Sequence, residues 1–139
     1  MSRMRGGFSL LEMLIVIAIL GLIATLVYNN LGGSMSKAKV KTTQTQIAST
    51  ASAIEQFHMD VGRYPTIAEM DGYRALIDQP SDAPGWDGPY LEKNKAPTDG
   101  WERELVYELD EKWGFVVKSY GADGKPGGED ENSDLDNRS

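Results

Sequence analysis

FSLLEMLIVIAILGLIATLV, residues 8–27, is the stretch that decides the fold. It carries one charge, Glu12, and two hydroxyls, Ser9 and Thr25, among twenty residues. About 20 apolar residues is the length at which a helix crosses the hydrocarbon core of a bilayer. Arg3 and Arg5 stand in front of it, and after Glu12 no charge follows until Lys37. That asymmetry keeps the N-terminus cytoplasmic and sends the rest of the chain across the membrane. A secretory signal peptide has a shorter apolar core with a small-residue cleavage site behind it. Here VYNNLGGS (residues 27–34) ends the run, and the small pair Gly6-Gly7 lies ahead of it. The apolar segment is therefore expected to remain in the mature protein.

Glu12 is the anomaly. A carboxylate in a spanning segment costs up to ~3 kcal/mol on insertion scales, so it marks a partner unless it reaches headgroup water. A cut after Gly7 would create an α-amino group on Phe8, four residues before Glu12. That is about one helical turn. The amine of a neighbouring copy, shifted along the axis, would then meet this carboxylate inside an apolar bundle.

Beyond Tyr28 the chain stays helical but changes character. Leu31, Met35, Ala38, Ala48, Ala51, Ile54 and Val61 recur near three- and four-residue spacings, with Ile47 and Phe57 beside them. Lysines and glutamines fill much of the rest, which is the pattern of an amphipathic helix over residues 29–61. Joined to the apolar segment it makes one helix of roughly 50 residues, about 75 Å long. Gly32-Gly33 is its expected weak point. Gly62 and Pro65 end it. Residues 66–77 then read as a short helix turning Ile67, Met70, Tyr73, Leu76 and Ile77 inward. After a Pro/Gly/Asp-rich loop come three strand candidates: Tyr90-Leu91, residues 105–109 and residues 114–119. The last two are joined by Asp110, Glu111, Lys112 and Trp113, a hairpin-length connection. A small antiparallel sheet packed on one long helix, an α+β fold, is the architecture this order predicts.

Composition narrows the function. With 21 acidic against 14 basic residues and a net charge of -7, the chain lacks the basic stripe that nucleic acids require. It has no cysteine, and His58 is its single histidine. No Ser/His/Asp or Cys/His set and no phosphate-binding glycine loop is present, so the reading is of a protein that is not an enzyme. His58 is expected on the surface or half-buried.

The acidic residues gather at the end. Residues 119–137, SYGADGKPGGEDENSDLDN, hold Asp123, Glu129, Asp130, Glu131, Asp134 and Asp136. Low hydrophobicity and high charge fit a solvated tail. Calcium is the sharper alternative, because it takes six to eight oxygens and glycines let backbone carbonyls turn inward. The spacing excludes an EF-hand.

RGGFSLLEMLIVIAILG (residues 5–21) resembles the class III leader of type IV pilins and pseudopilins. DVGRYPT (60–66), GYRALIDQP (72–80) and GPYLEKNKAPTDGWERELVYEL (88–109) are similar to the major pseudopilins of type II secretion systems. The resemblance implies a type IV pilin-like fold and a structural subunit of a periplasmic filament that polymerises from the inner membrane to drive protein export. It divides the chain into a basic leader, 1–7, that is removed; a transmembrane and filament-core helix, 8–28; an amphipathic helix, 29–61; and a periplasmic part, 62–139. Prepilin peptidase would cut after Gly7 and methylate Phe8, and Glu12 would assist docking. The implied partners are further copies of the chain in a helical homopolymer, minor pseudopilins, prepilin peptidase and the inner-membrane assembly platform. The final loop resembles the family's calcium-binding loop, which assigns as ligands the Tyr120 carbonyl and the carboxylates of Asp123 and Asp134. Ser133 offers a backbone or hydroxyl oxygen, and Asp130 is a substitute ligand. Two departures stand out: Asn29 lies where the family commonly has proline, and residues 98–101 read TDGW where it has D-P-W-G. Two rivals remain. One is a type IV or competence pilin, whose adhesive members carry a C-terminal disulfide loop that a cysteine-free chain lacks. The other is a membrane-anchored calcium-binding domain that never polymerises.

Overall fold

The computed structural model describes residues 6–92 and 95–138. The expected leader therefore lies outside the described residues except for Gly6 and Gly7. The chain divides into two compact units, residues 1–36 and 37–139.

Helix α1 runs Leu10–Val61. Ser9 caps its start: its Oγ accepts the Glu12 N–H at 3.1 Å, the first half of an S-x-x-E box. At the far end Gly62 takes φ +85 and donates its N–H to the His58 carbonyl at 2.8 Å, a left-handed stop. The helix is unbroken through Asn29-Asn30 and Gly32-Gly33. A glycine costs ~1 kcal/mol against alanine in a helix, too little for two to interrupt an element this long. Within the apolar run, Thr25 Oγ1 donates to the Gly21 carbonyl at 2.9 Å, so its hydroxyl is satisfied inside its own helix.

The core of the second unit forms where α1 meets the rest of that unit. Ile47, Ala53, Ile54 and Phe57 pack with Met70, Tyr73, Ala75, Leu76 and Ala83, and with Leu105, Tyr107, Phe115 and Val117 from the sheet side. The buried stripe on α1 differs from the expected one. Thr43 and Thr50 are buried in line with Ile47, Ile54 and Phe57, whereas Leu31, Met35, Ala38 and Ala48 are exposed. Thr43 is tolerated inside because its hydroxyl donates to the Lys39 carbonyl (2.8 Å) and accepts the Gly100 N–H (2.8 Å).

Residues 66–77 do not make the regular helix their spacing predicts. A turn leads into a 3₁₀ segment, Asp71–Leu76, broken by left-handed backbone at Gly72 and Tyr73. Met70, Tyr73 and Leu76 point inward as expected, while Ile67 is exposed. Tyr73 is held in its unusual conformation from outside, through its hydroxyl bond to the Leu105 carbonyl at 2.7 Å. A capping box precedes the segment: Thr66 N–H donates to Glu69 Oε2 (2.9 Å) and Glu69 N–H to Thr66 Oγ1 (3.3 Å). Arg63 clamps the same carboxylate with two bonds of 2.8 Å and reaches the Asp82 carbonyl, also at 2.8 Å. That fork holds the Glu69 carboxyl at a pKa of about 2, well below its ordinary range.

The sheet has three antiparallel strands in the order β1, β2, β3: Val106–Asp110, Gly114–Ser119 and Leu135–Asp136. β1 and β2 form the expected hairpin, with Tyr107 opposite Val117 and Asp110 opposite Gly114. Asp110 Oδ1 accepts the N–H groups of Lys112 (2.9 Å) and Trp113 (2.8 Å) and so builds the turn. Tyr90-Leu91 is not a strand. Tyr90 is fixed by its N–H to the Leu76 carbonyl (2.7 Å) and its hydroxyl to Asp60 (2.8 Å). β3 lies inside the acidic segment and pairs Ser119 with Leu135 and Lys118 with Asp136. His58 is half-buried and stacks on Tyr64 with ring centroids 4.1 Å apart.

Candidate functional site

Two regions carry the residues singled out by sequence. In the first, none of the most apolar 18-residue window of α1 is buried by the chain itself. Phe8 is 75 % exposed and Leu10 85 %. A soluble monomer does not leave a continuous apolar surface of this size uncovered. Glu12 sits at the third position of the helix, where the positive end of the macrodipole favours an acid by ~0.3–1 kcal/mol. That local preference explains an acid in the first turn. It does not explain one amid an otherwise apolar run, where Ser9 already caps the helix and a neutral residue at position 12 would cost less on insertion.

In the second region, the chain brings the two stretches that carry the predicted loop ligands against each other. Ala122 N–H donates to the Glu131 carbonyl at 2.8 Å. A side chain on Gly121 (φ +72) would begin 2.7 Å from the Ser133 carbonyl oxygen and 2.8 Å from that of Glu131, so only glycine closes this contact. The stretch holding Tyr120 and Asp123 thus touches the stretch holding Ser133 and Asp134. The carboxylates are turned to separate backbone donors. Asp123 Oδ1 accepts the Lys125 N–H at 3.0 Å, and both Asp134 oxygens accept the Gly127 N–H at 3.1 Å. Asp130 (φ +52) opens a 3₁₀ turn, and its carbonyl accepts from the N–H (3.2 Å) and hydroxyl (2.8 Å) of Ser133. Among the described residues no three His, Cys, Asp or Glu side chains gather as a metal centre. The donor chemistry nevertheless suits a hard cation: every polar side chain named here offers oxygen, and each carboxylate keeps lone pairs beyond those its N–H partner uses.

Three residues outside the predicted set organise this region. Asp99, only 6 % exposed, accepts the Ser119 hydroxyl at 2.7 Å. Arg103 donates to the carbonyls of Gly121 (2.8 Å) and Ala122 (2.9 Å). Asn137 is sewn to β2 in both directions, its Oδ1 accepting the Val117 N–H (2.8 Å) and its N–H donating to the Val117 carbonyl (3.2 Å). Beside it, the Arg138 guanidinium holds the Asp136 carboxyl below its ordinary range. The Asp-Gly pair at 99–100 is a turn signal legible in sequence, but what that turn grips is not.

An exposed apolar N-terminal helix, continued into a helix that packs on a small antiparallel sheet, defines a type IV pilin-like protein. Known proteins specify which one. Residues 30–138 match the family described as type II secretion system (T2SS), protein G, and residues 2–28 match the prokaryotic N-terminal methylation motif. The chain is similar to the type II secretion system core protein G of Xanthomonas campestris pv. campestris, 35% identical over 132 residues that cover 94% of this chain and 88% of that one. It is likewise 35% identical to the core protein G of Pseudomonas aeruginosa over 141 residues, covering 97% and 96%. Among solved structures it resembles the crystal structure of the major pseudopilin from the type 2 secretion system of enterohaemorrhagic Escherichia coli. The TM-score is 0.58 and the identity 27%, over 78% of this chain and 93% of that one. The chain belongs to the type II secretion system protein G family.

Proposed function

We propose that this chain is the major structural subunit of a periplasmic pseudopilus whose growth from the inner membrane drives protein export by type II secretion. The observation that carries this reading is the wholly exposed apolar window of α1 with Glu12 near its start. In the membrane that surface faces lipid. In a filament, identical surfaces replace lipid contacts with helix contacts, and a head-to-tail interface that does not close generates a helical stack. Cleavage after Gly7 by a prepilin peptidase exposes the Phe8 amine for methylation, a reading that the match of residues 2–28 to the N-terminal methylation motif supports. Glu12 of one copy then pairs with the Phe8 amine of the next. The basic leader sets the N-terminus in the cytoplasm, and residues beyond α1's apolar part lie in the periplasm. Minor pseudopilins and an inner-membrane assembly platform complete the machine. The role is structural rather than catalytic.

Calcium belongs to the same reading. Tyr120 through its carbonyl, Asp123, Ser133 and Asp134, with Asp130 in reserve, would hold it between the two touching stretches of the C-terminal loop. Bound there, the cation offsets the mutual repulsion of the acidic side chains and favours the folded form by mass action.

Two experiments test these statements. Glu12→Ala should abolish filaments in cells that overproduce the chain while leaving membrane insertion unchanged; filaments at wild-type yield would remove the polymer reading and leave a membrane anchor. Chelation should lower the melting temperature of the protein, and Asp123→Ala should erase that response. A melting curve indifferent to chelator would dispose of the calcium site.

A further inference from the structure

We propose that the turn at residues 98–104 is a brace that sets the first turn of the acidic loop before any cation arrives, with Arg103 as its positioning residue. The proposal rests on the calcium reading above for its functional consequence, and on geometry alone for the brace itself. The carboxylate of Asp99 is divided between two elements. Its Oδ1 accepts the N–H groups of Trp101 (2.9 Å) and Arg103 (3.0 Å), which form the turn. Its Oδ2 accepts the hydroxyl of Ser119 (2.7 Å), at the end of β2. Ser119 Oγ in turn accepts the Gly121 N–H at 3.2 Å, passing the constraint into the loop.

Arg103 completes the grip. With its backbone fixed by Asp99, it reaches over and donates from its two terminal nitrogens to the Gly121 (2.8 Å) and Ala122 (2.9 Å) carbonyls. These two carbonyls lie between Tyr120 and Asp123, the two donors of the loop's first turn. Orienting them fixes both intervening peptide planes, and the flanking donors inherit that orientation. The guanidinium also stands as a fixed positive charge beside a loop holding six acids, where an ion-free loop would otherwise open by self-repulsion. The rigid planar fork of arginine matches two acceptors one residue apart, whereas a lysine ammonium is a point charge on a flexible stem that holds neither peptide plane in a set orientation. Loss of an outer-shell partner typically weakens metal binding 10–100-fold, and because Arg103 is solvent-exposed we expect about tenfold.

The test uses the full chain in detergent micelles, as wild type, Arg103→Gln and Arg103→Lys, with two readouts: amide hydrogen exchange in chelator and calorimetric titration with calcium. In chelator the Ala122 and Ser133 amides of wild type should be protected and those of Arg103→Gln should exchange about ten times faster, while the β1–β2 amides stay unchanged. The calcium Kd should rise about tenfold, and Arg103→Lys should not restore it. If Arg103→Gln loses the β1–β2 protection too, Arg103→Met replaces it, keeping an unbranched stem and removing only the fork. Unprotected loop amides in wild type, equal protection in the variant, or full rescue by lysine would each overturn the brace. Loss of protection in the variant with no calcium binding by any protein would uphold the brace and defeat the calcium reading.

Discussion

Phe57 and Leu14 are large apolar side chains on the same helix, yet Phe57 is fully covered by its own chain and Leu14 is 60 % exposed. The contrast holds for the units they belong to. In the second unit, no buried side-chain nitrogen or oxygen among the described residues lacks a partner, and α1 shares one core with the sheet. The apolar part of the first unit buries nothing of its own. One region is complete as a single chain; the other is half of an interaction whose remainder is lipid or a second copy. Substitutions should therefore separate cleanly, damaging either folding or assembly.

The largest folding effect is expected at Phe57. Phe57→Ala removes a ring packed edge-on to Tyr90 (centroids 6.0 Å apart) and should cost about 3–5 kcal/mol in the second unit, measured by chemical denaturation. Membrane insertion of the same variant should be normal. If it failed to insert, the two regions would not be independent.

A smaller effect, with a pH signature, is expected at Glu69. Its folded pKa of about 2 lies below the ordinary 4.5, so its pairing with Arg63 stabilises fully above pH 4.5 and is lost as pH falls toward 2. Arg63 is about a third exposed (32%), so solvent screening discounts the shift, and Glu69→Gln should cost about 1–2 kcal/mol at neutral pH. The variant's stability should fall less steeply than wild type between pH 4.5 and 2. Parallel slopes would show that the fork contributes nothing measurable.

What the sequence made legible follows the same division. The methylation motif and the long apolar helix announce themselves because each depends on local order: charge before a greasy run, and one acid within it. The β1–β2 hairpin is equally readable, since two strand-like runs and the short Asp110 turn between them are local. Errors arose where a residue answers to distant neighbours. Thr43 carries no apolar signal that would put it in the buried stripe, yet it is buried, its hydroxyl consumed by Lys39 and Gly100. The spacing makes Tyr73 one position of a regular helix, whereas its bond to Leu105 holds a left-handed turn. β3 hid inside an acidic segment because two residues carry no periodicity and its partner lies sixteen positions upstream at Ser119. Asp99 and Arg103 were invisible as organisers of the C-terminal loop for the same reason.

The central claim is that residues 8–27 stay in the working protein, freed of their leader, as the surface through which copies associate. The mass and N-terminal residue of the protein purified from cell membranes test it most directly. The account predicts a chain that begins at N-methylated Phe8 and lacks residues 1–7. A chain still beginning at Met1, or one that had lost the whole apolar stretch, would contradict it.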